Sequence, residues 1–140
     1  MLRLRIIFLL FILLTCNDCF SMVLQERCTE QEAIAADKEA SEITDWKILL
    51  RSYLRYNQCD DGSIAEGYSD SVSRLLSDDW NKTPNLIAII KRNKGFCEFI
   101  LKHIDETVPL SRLKKITFQA KNKCPNGGKT FCAAVLKASK

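Results

Sequence analysis

Residue types on which catalytic and metal sites depend are scarce in this chain of 140 residues. It has one histidine, His103, and a single histidine with a pair of cysteines falls short of the usual tetrahedral zinc set. The patterns G-x-S-x-G, H-E-x-x-H, G-x-G-x-x-G and the P-loop are absent. These absences argue against the common hydrolases and nucleotide-binding enzymes, so we expect no catalytic residues, no metal and no cofactor.

A long apolar run is also lacking. The run from Ile6 to Leu14 has nine residues, about half of the ~20 that a membrane span needs. Arginines precede it and small residues follow it, which predicts a signal peptide over residues 1–21 and one exported domain over residues 22–140. Leu13 to Cys16 also resembles a lipoprotein cleavage box, so acylation of Cys16 is an alternative.

Charge is divided unevenly along the chain. Residues 22–80 hold six basic and 13 acidic side chains, whereas residues 81–140 hold 13 and three. This asymmetry favours a protein partner or a second copy more than nucleic acid. An ordinary surface with uneven charge is the simpler interpretation. The basic residues fall into three clusters that could face anionic lipid, wall polymer, an acidic protein or solvent: Lys91, Arg92 and Lys94; Arg112, Lys114 and Lys115; Lys121, Lys123 and Lys129.

Five cysteines follow the predicted signal peptide, and an exported chain meets an oxidising compartment. Cys124 and Cys132 enclose a turn-rich segment and are the best predicted disulfide. Among Cys28, Cys59 and Cys97, at least one stays unpaired or pairs between chains, and the sequence does not show which one.

Apolar residues recur at helical spacing, and no strand-like alternation is present. The pattern predicts an all-α fold, a compact bundle of five to seven short helices. A first helix is expected within residues 29–43. Start signals for three others are Thr44-Asp45, Asp60 or Asp61, and Thr83-Pro84, and apolar residues from Phe96, Leu110 and Phe131 onward mark the remaining three. The helix that begins at Phe96 is expected to end at Val108, before Pro109.

The stretch 57–70 concentrates four carboxylates, which raises the question of an acidic site. A helix over this stretch turns Tyr68 toward the core and Asp70 away from it. The acidic residues are therefore interpreted as helix surface and first-turn residues, not as a catalytic pair. Gly67 lies in mid-helix, where glycine usually permits another segment to approach closely. Trp80 carries an indole N–H that needs a partner.

A cysteine–histidine hydrolase is one alternative function. Cys97 and His103 are six residues apart, so on one helix they do not face each other. Cys59 could meet His103 only through tertiary contact. We expect a hydrogen-bonded structural role for His103.

The motif C-D-D-G-x-I-A-E-G-Y-S-D at residues 59–70, with Arg74-Leu75-Leu76 and Trp80, resembles the amidase immunity family of type VI secretion systems. The segments F-I-L-x-H-I-D-x-T at 99–107 and Lys123-Cys124-Pro125 with Cys132 are similar to its second half. The resemblance covers residues 45–138. It implies that the motif residues serve helix packing or a dimer: Asp60, Asp61, Gly62, Glu66, Gly67, Tyr68, Asp70 and Trp80.

The resemblance also implies a function. Members of that family are small helical proteins of the periplasm, commonly homodimers, that block a peptidoglycan amidase with a cysteine–histidine active site. A homodimer would give a heterotetramer with its effector, and a loop of one subunit enters the enzyme cleft. The first candidate for that loop comprises Asn122, Lys123, Pro125, Asn126, Gly127, Gly128 and Lys129. The turns at 81–83 and 93–95 are alternatives, and a lipid-anchored envelope adaptor is a further alternative function.

Overall fold

A computed structural model describes residues 27–140, which fold as an all-α bundle; the predicted signal peptide and Cys16 lie outside the described residues. Seven α-helices are present in this part of the chain, at the upper end of the predicted range. They are α1 (Glu30–Ser41), α2 (Trp46–Tyr56), α3 (Gly62–Asp78), α4 (Thr83–Ile90), α5 (Lys94–Lys102), α6 (Leu110–Asn122) and α7 (Lys129–Ala138). Short 3-10 turns at Asn57–Cys59 and Trp80–Lys82 precede α3 and α4.

Local capping chemistry explains where the first helices begin. Thr29 and Glu32 form a reciprocal capping box at the start of α1. Asp45 accepts hydrogen bonds from the backbone N–H groups of Lys47 and Ile48 at the start of α2. The start of α4 at Thr83 carries a proline in its first turn, as the sequence predicts.

Helix α3 is the longest and packs against both α1 and α6. Nine of its 17 residues are buried, and four of these are serines, whose small side chains allow close approach of neighbouring helices. Ser71 donates its hydroxyl to the carbonyl of Ala40 in α1 at 2.8 Å. Helix α7 then packs against α6 and α5 and closes the bundle.

The predicted extent of the helix that contains Phe96 is wrong at its C-terminal end. Helix α5 ends at Lys102, with His103 as its capping residue, instead of continuing to Val108. Asp105 accepts hydrogen bonds from the backbone N–H and the hydroxyl of Thr107, which stabilises a local turn in place of the helix.

Part of the uneven charge is neutralised within the fold. The basic helix α6 lies against the acidic helix α3, where Arg112 pairs with Asp70 and Lys115 pairs with Asp78. The imbalance along the sequence therefore overstates the imbalance at the surface of this region.

Candidate functional site

The predicted binding segment forms a tight turn between α6 and α7. The N–H of Gly128 donates to the carbonyl of Pro125 at 2.9 Å, and Gly127 has a φ of 73°, in the left-handed region that favours glycine. Cys124 and Cys132 are joined by a disulfide, as predicted, so the base of the turn is covalently closed.

The turn is also fixed to the body of the protein. The indole N–H of Trp80 donates to the carbonyl of Lys123 at 2.8 Å, which gives the buried indole the partner that it needs. Asn126 and Gly127 are exposed at the tip of the turn. The candidate site therefore presents a short exposed tip on a base that a disulfide and a hydrogen bond hold in place.

Gly128 differs from Asn126 and Gly127, its neighbours in the candidate loop. It is buried, and a Cβ atom at this position would lie 3.1 Å from Cγ of Pro125 and 3.3 Å from Cδ1 of Ile87. Gly128 is therefore unsuited to direct contact with a partner. Replacing it with a larger residue would disturb the packing of the turn.

The two alternative turns are less exposed at key positions. Asn81 is exposed, but Thr83 is fully buried, with no hydrogen-bond partner for its hydroxyl among the described residues. A Cβ atom on Gly95 would lie 2.6 Å from the hydroxyl of Tyr53, so the second turn is packed closely against α2.

The acidic motif supplies the start and the surface of α3. Asp61 is the N-cap residue and accepts a hydrogen bond from the N–H of Gly62, whose φ is 52°. Glu66 is exposed. Asp70 is also exposed and pairs with Arg112 and Arg74.

Two other motif residues pack inside the bundle. A Cβ atom on Gly67 would lie 3.0 Å from Cβ of Ala40, so the absence of a side chain permits the close approach of α1 and α3. Tyr68 is fully buried, and its hydroxyl is 2.9 Å from the hydroxyl of Ser52 in α2.

Asp60 does not belong to the helix surface, contrary to the sequence interpretation. Its side chain is only 7% exposed and belongs to a buried chain of polar groups. Nε2 of His103 lies 3.2 Å from Oδ2 of Asp60, and Nδ1 of His103 lies 3.0 Å from Oγ of Ser69. Ser69 in turn donates its hydroxyl to Oδ2 of Asp105 at 2.9 Å. The expected hydrogen-bonded role of His103 is confirmed.

The role of one ring nitrogen of His103 follows from its partner. The carboxylate of Asp60 can only accept, so Nε2 of His103 donates to it. His103 therefore bridges the buried carboxylate of Asp60 and the hydroxyl of Ser69.

The surroundings of Asp60 and Asp105 lower the pKa of both carboxyl groups. Burial acts to raise the pKa of Asp60, but the hydrogen bonds and positive charges of His103 and Lys102 outweigh it and hold that pKa below its ordinary value. Burial likewise acts to raise the pKa of Asp105. Hydrogen bonds from Thr107 and Ser69 and the charge of His103 hold it below its ordinary value.

Ser69, His103 and Asp60 include the residue types of a hydrolytic triad. However, Ser69 is 2% exposed and donates to Asp105, so its oxygen neither reaches a substrate nor transfers its hydrogen to the histidine. The arrangement acts as a cross-link between the start of α3, its middle and the α5–α6 connection. Ser69 was missed as a network residue because it lies outside the apolar stripe that marks the buried face of α3.

The cysteines give little support to a cysteine–histidine pair. Cys59 is bonded to Cys28, and Cys97 is the free cysteine of the described region. Burial raises the pKa of the Cys97 thiol, and the charge of Glu98 raises it further, which disfavours the reactive thiolate. The nitrogens of His103 contact Asp60 and Ser69 instead of a sulfur atom.

A groove of about 810 Å³ lies along α6 on one side of the bundle. A second groove, of about 430 Å³, lies between α4, α5 and α7 and adjoins the tip of the turn. Ile90, Lys91, Cys97, Gly127 and Phe131 are among the residues that line this second groove. The exposed tip and an apolar cleft with a basic rim thus form one continuous surface.

Two global properties complete the description of the site. The two disulfides fit an oxidising compartment. None of the helices between residues 27 and 140 has the length and apolar character required to cross a membrane.

Comparisons with protein-family models, curated proteins and solved structures found no match to this chain.

Proposed function

We propose that this protein is a periplasmic immunity protein that binds and blocks the active-site cleft of a type VI secreted peptidoglycan amidase. Its partner would be an amidase of the cysteine–histidine type, and the binding unit would be a homodimer. In this role the protein protects its producer from attack by a sister cell and performs no catalysis of its own.

The observation that carries this proposal is the fixed, exposed tip of the turn at Asn126 and Gly127. The Cys124–Cys132 disulfide and the hydrogen bond from Trp80 restrict the turn before any partner arrives. A segment that is already ordered loses less conformational entropy on binding, which favours its insertion into a cleft.

The cleft beside the turn supports the same proposal. Ile90 and Ala134, both partly exposed, provide apolar surface, and Lys91 adds a positive rim close to Gly127. A tip that enters an enzyme could therefore be flanked by a pocket that receives a side chain from the enzyme in return. Such a two-sided contact suits a tight inhibitor.

The first experiment tests protection and its compartment. Co-expression with the cognate exported amidase should prevent lysis, whereas a version lacking residues 1–21 should not protect. Protection by the version without residues 1–21 would refute the periplasmic assignment. Lysis despite correct export would refute the inhibitory function.

The second experiment tests the tip. Asn126→Trp should weaken inhibition of the purified amidase by about 2 kcal/mol or more, because it enlarges a central contact. Asn57→Trp, at another exposed asparagine, is the matched control and should inhibit as well as the parent. If Asn126→Trp inhibits normally and Asn81→Trp does not, the inserted segment is the 3-10 turn before α4.

A further inference from the structure

A groove of about 810 Å³ lies along α6, between the α5–α6 connection and the end of α7. We call it the α6 groove. Two large apolar side chains line it at high exposure, Leu110 at 66% and Phe118 at 57%. Exposed apolar side chains that line one concave surface are typical of a binding face.

The charge around the α6 groove has one sign over most of its length. Residues 107–140 contain eight basic side chains and no acidic one. Leu110, Lys114, Phe118 and Lys121 are spaced by four, four and three residues, so they follow one line on the helix surface for about 16 Å. The line alternates apolar and positive groups.

The lysines on this line are available to a partner. Arg112 and Lys115 already pair with carboxylates of α3. Among residues 27–140, no carboxylate lies within ion-pair distance of Lys114 or Lys121. Both lysines line the groove beside Phe118.

We propose that the α6 groove binds an amphipathic helix of another protein whose apolar residues are flanked by carboxylates. The apolar side chains of that helix would contact Leu110 and Phe118, and its carboxylates would pair with Lys114 and Lys121. This is the helix-in-groove mode of recognition, with electrostatic complementarity along α6. The inference is independent of amidase inhibition, which uses the tip at Asn126 and Gly127.

The shape of the surface disfavours an anionic membrane as the occupant. The α6 groove is concave, with a volume of about 810 Å³, whereas a bilayer presents a broad flat surface. Asp105 and Glu106 line the same groove. A membrane would bring its phosphates against these carboxylates, but a helix with one basic residue near its end would complement them.

The test uses the full chain after export and two synthetic peptides. The first peptide, of about 18 residues, places leucine at helical spacing with glutamate on either side and carries a fluorescent label. The second has lysine in place of glutamate. We expect the acidic peptide alone to bind in fluorescence anisotropy, with an affinity that falls as salt is raised.

Four variants connect binding to the α6 groove. Phe118→Ala should weaken binding of the acidic peptide about tenfold or more, and so should Lys114→Glu combined with Lys121→Glu. Leu54→Ala is the matched control, because Leu54 is 60% exposed on α2. Lys38→Glu combined with Lys47→Glu controls for net charge. Both controls should stay within about twofold of the parent.

Several outcomes would overturn the proposal. Failure of the acidic peptide to bind, equal binding of the basic peptide, or an equal loss in the controls would each do so. Phe118-dependent sedimentation with phosphatidylglycerol vesicles, without peptide binding, would assign the surface to a membrane. Self-association that Phe118→Ala abolishes, again without peptide binding, would assign it to a second copy of this chain.

Discussion

Nε2 of His103 lies 3.2 Å from Oδ2 of Asp60, although the two residues are 43 positions apart in the sequence, with α3, α4 and α5 between them. The contact is almost completely removed from solvent, since His103 is 1% exposed and the Asp60 side chain 7%. It ties the residue before the N-cap of α3 to the C-cap of α5. Asp60, one of the carboxylates of the motif at residues 59–70, therefore has its side chain inside the fold.

The first prediction concerns the hydrogens of this contact. In the folded protein, Nε2 of His103 should carry a hydrogen, because the carboxylate of Asp60 can only accept. Nitrogen-15 NMR of the imidazole should place Nε2 in the protonated range. A spectrum in which Nε2 lacks its hydrogen would contradict this contact.

The second prediction concerns acid stability. The pKa of Asp60 is below its ordinary value of 3.8 in the folded protein, so the folded state binds fewer protons than the unfolded state near that pH. The stabilisation is fully present above the ordinary pKa and is lost as the pH falls through the lower folded pKa. Asp60→Asn should lower the free energy of unfolding at pH 7 by about 1–3 kcal/mol and flatten its decline below about pH 4.

Asp61→Asn is the control for that variant. Asparagine caps a helix about as well as aspartate, so this neighbouring substitution should change the free energy of unfolding by about 0.5 kcal/mol or less. Urea denaturation across pH 2–7 provides the measurement. Identical pH profiles for Asp60→Asn and the parent would show that the buried pair contributes no acid dependence.

The third prediction concerns the contact of α1 with α3. Gly67→Ala gains about 1 kcal/mol of helix propensity but places a methyl group 3.0 Å from Cβ of Ala40. In the Ala40→Gly background that methyl group has room. A double-mutant cycle from urea denaturation should therefore give a coupling energy of about 1 kcal/mol or more. Strictly additive effects would mean that the helices separate to accommodate the methyl group.

The fourth prediction ranks the two disulfides. Cys28–Cys59 spans 31 residues and Cys124–Cys132 spans eight. Replacing both cysteines of a pair by alanine should lower the free energy of unfolding by about 4 kcal/mol for the first and about 2.5 kcal/mol for the second, because the longer loop loses more entropy on closure. Peptide mapping without reductant checks the pairing first, and free thiols at Cys124 and Cys132 would contradict the closed turn.

Much of the helical framework follows from local sequence signals. Asp45 before an apolar stripe and Thr83 before a proline predict helix starts that the structure contains. The end of α5 does not follow from such local signals. His103 and Asp105 leave the helical path to bond with Ser69 and Asp60, which lie more than 30 residues earlier, and helical periodicity holds no information about such partners.

In the candidate site, too, some features follow from local sequence and others depend on contacts between distant residues. Turn composition and cysteine spacing predict the turn at 125–128 and its disulfide, because both are local. The burial of Gly128 against Ile87 and the pairing of Cys28 with Cys59 depend on how distant helices meet. These could not be read from the sequence.

The positions of the two disulfides also affect what proteolysis does to the molecule. Cys28–Cys59 closes a ring that contains α1 and the whole of α2, and Cys124–Cys132 closes a small ring around the turn. A single cut in the α1–α2 connection or at the exposed tip would therefore release no fragment until the bond is reduced. In a compartment that contains many proteases, a nicked chain of this kind keeps its pieces together and its helices can stay docked.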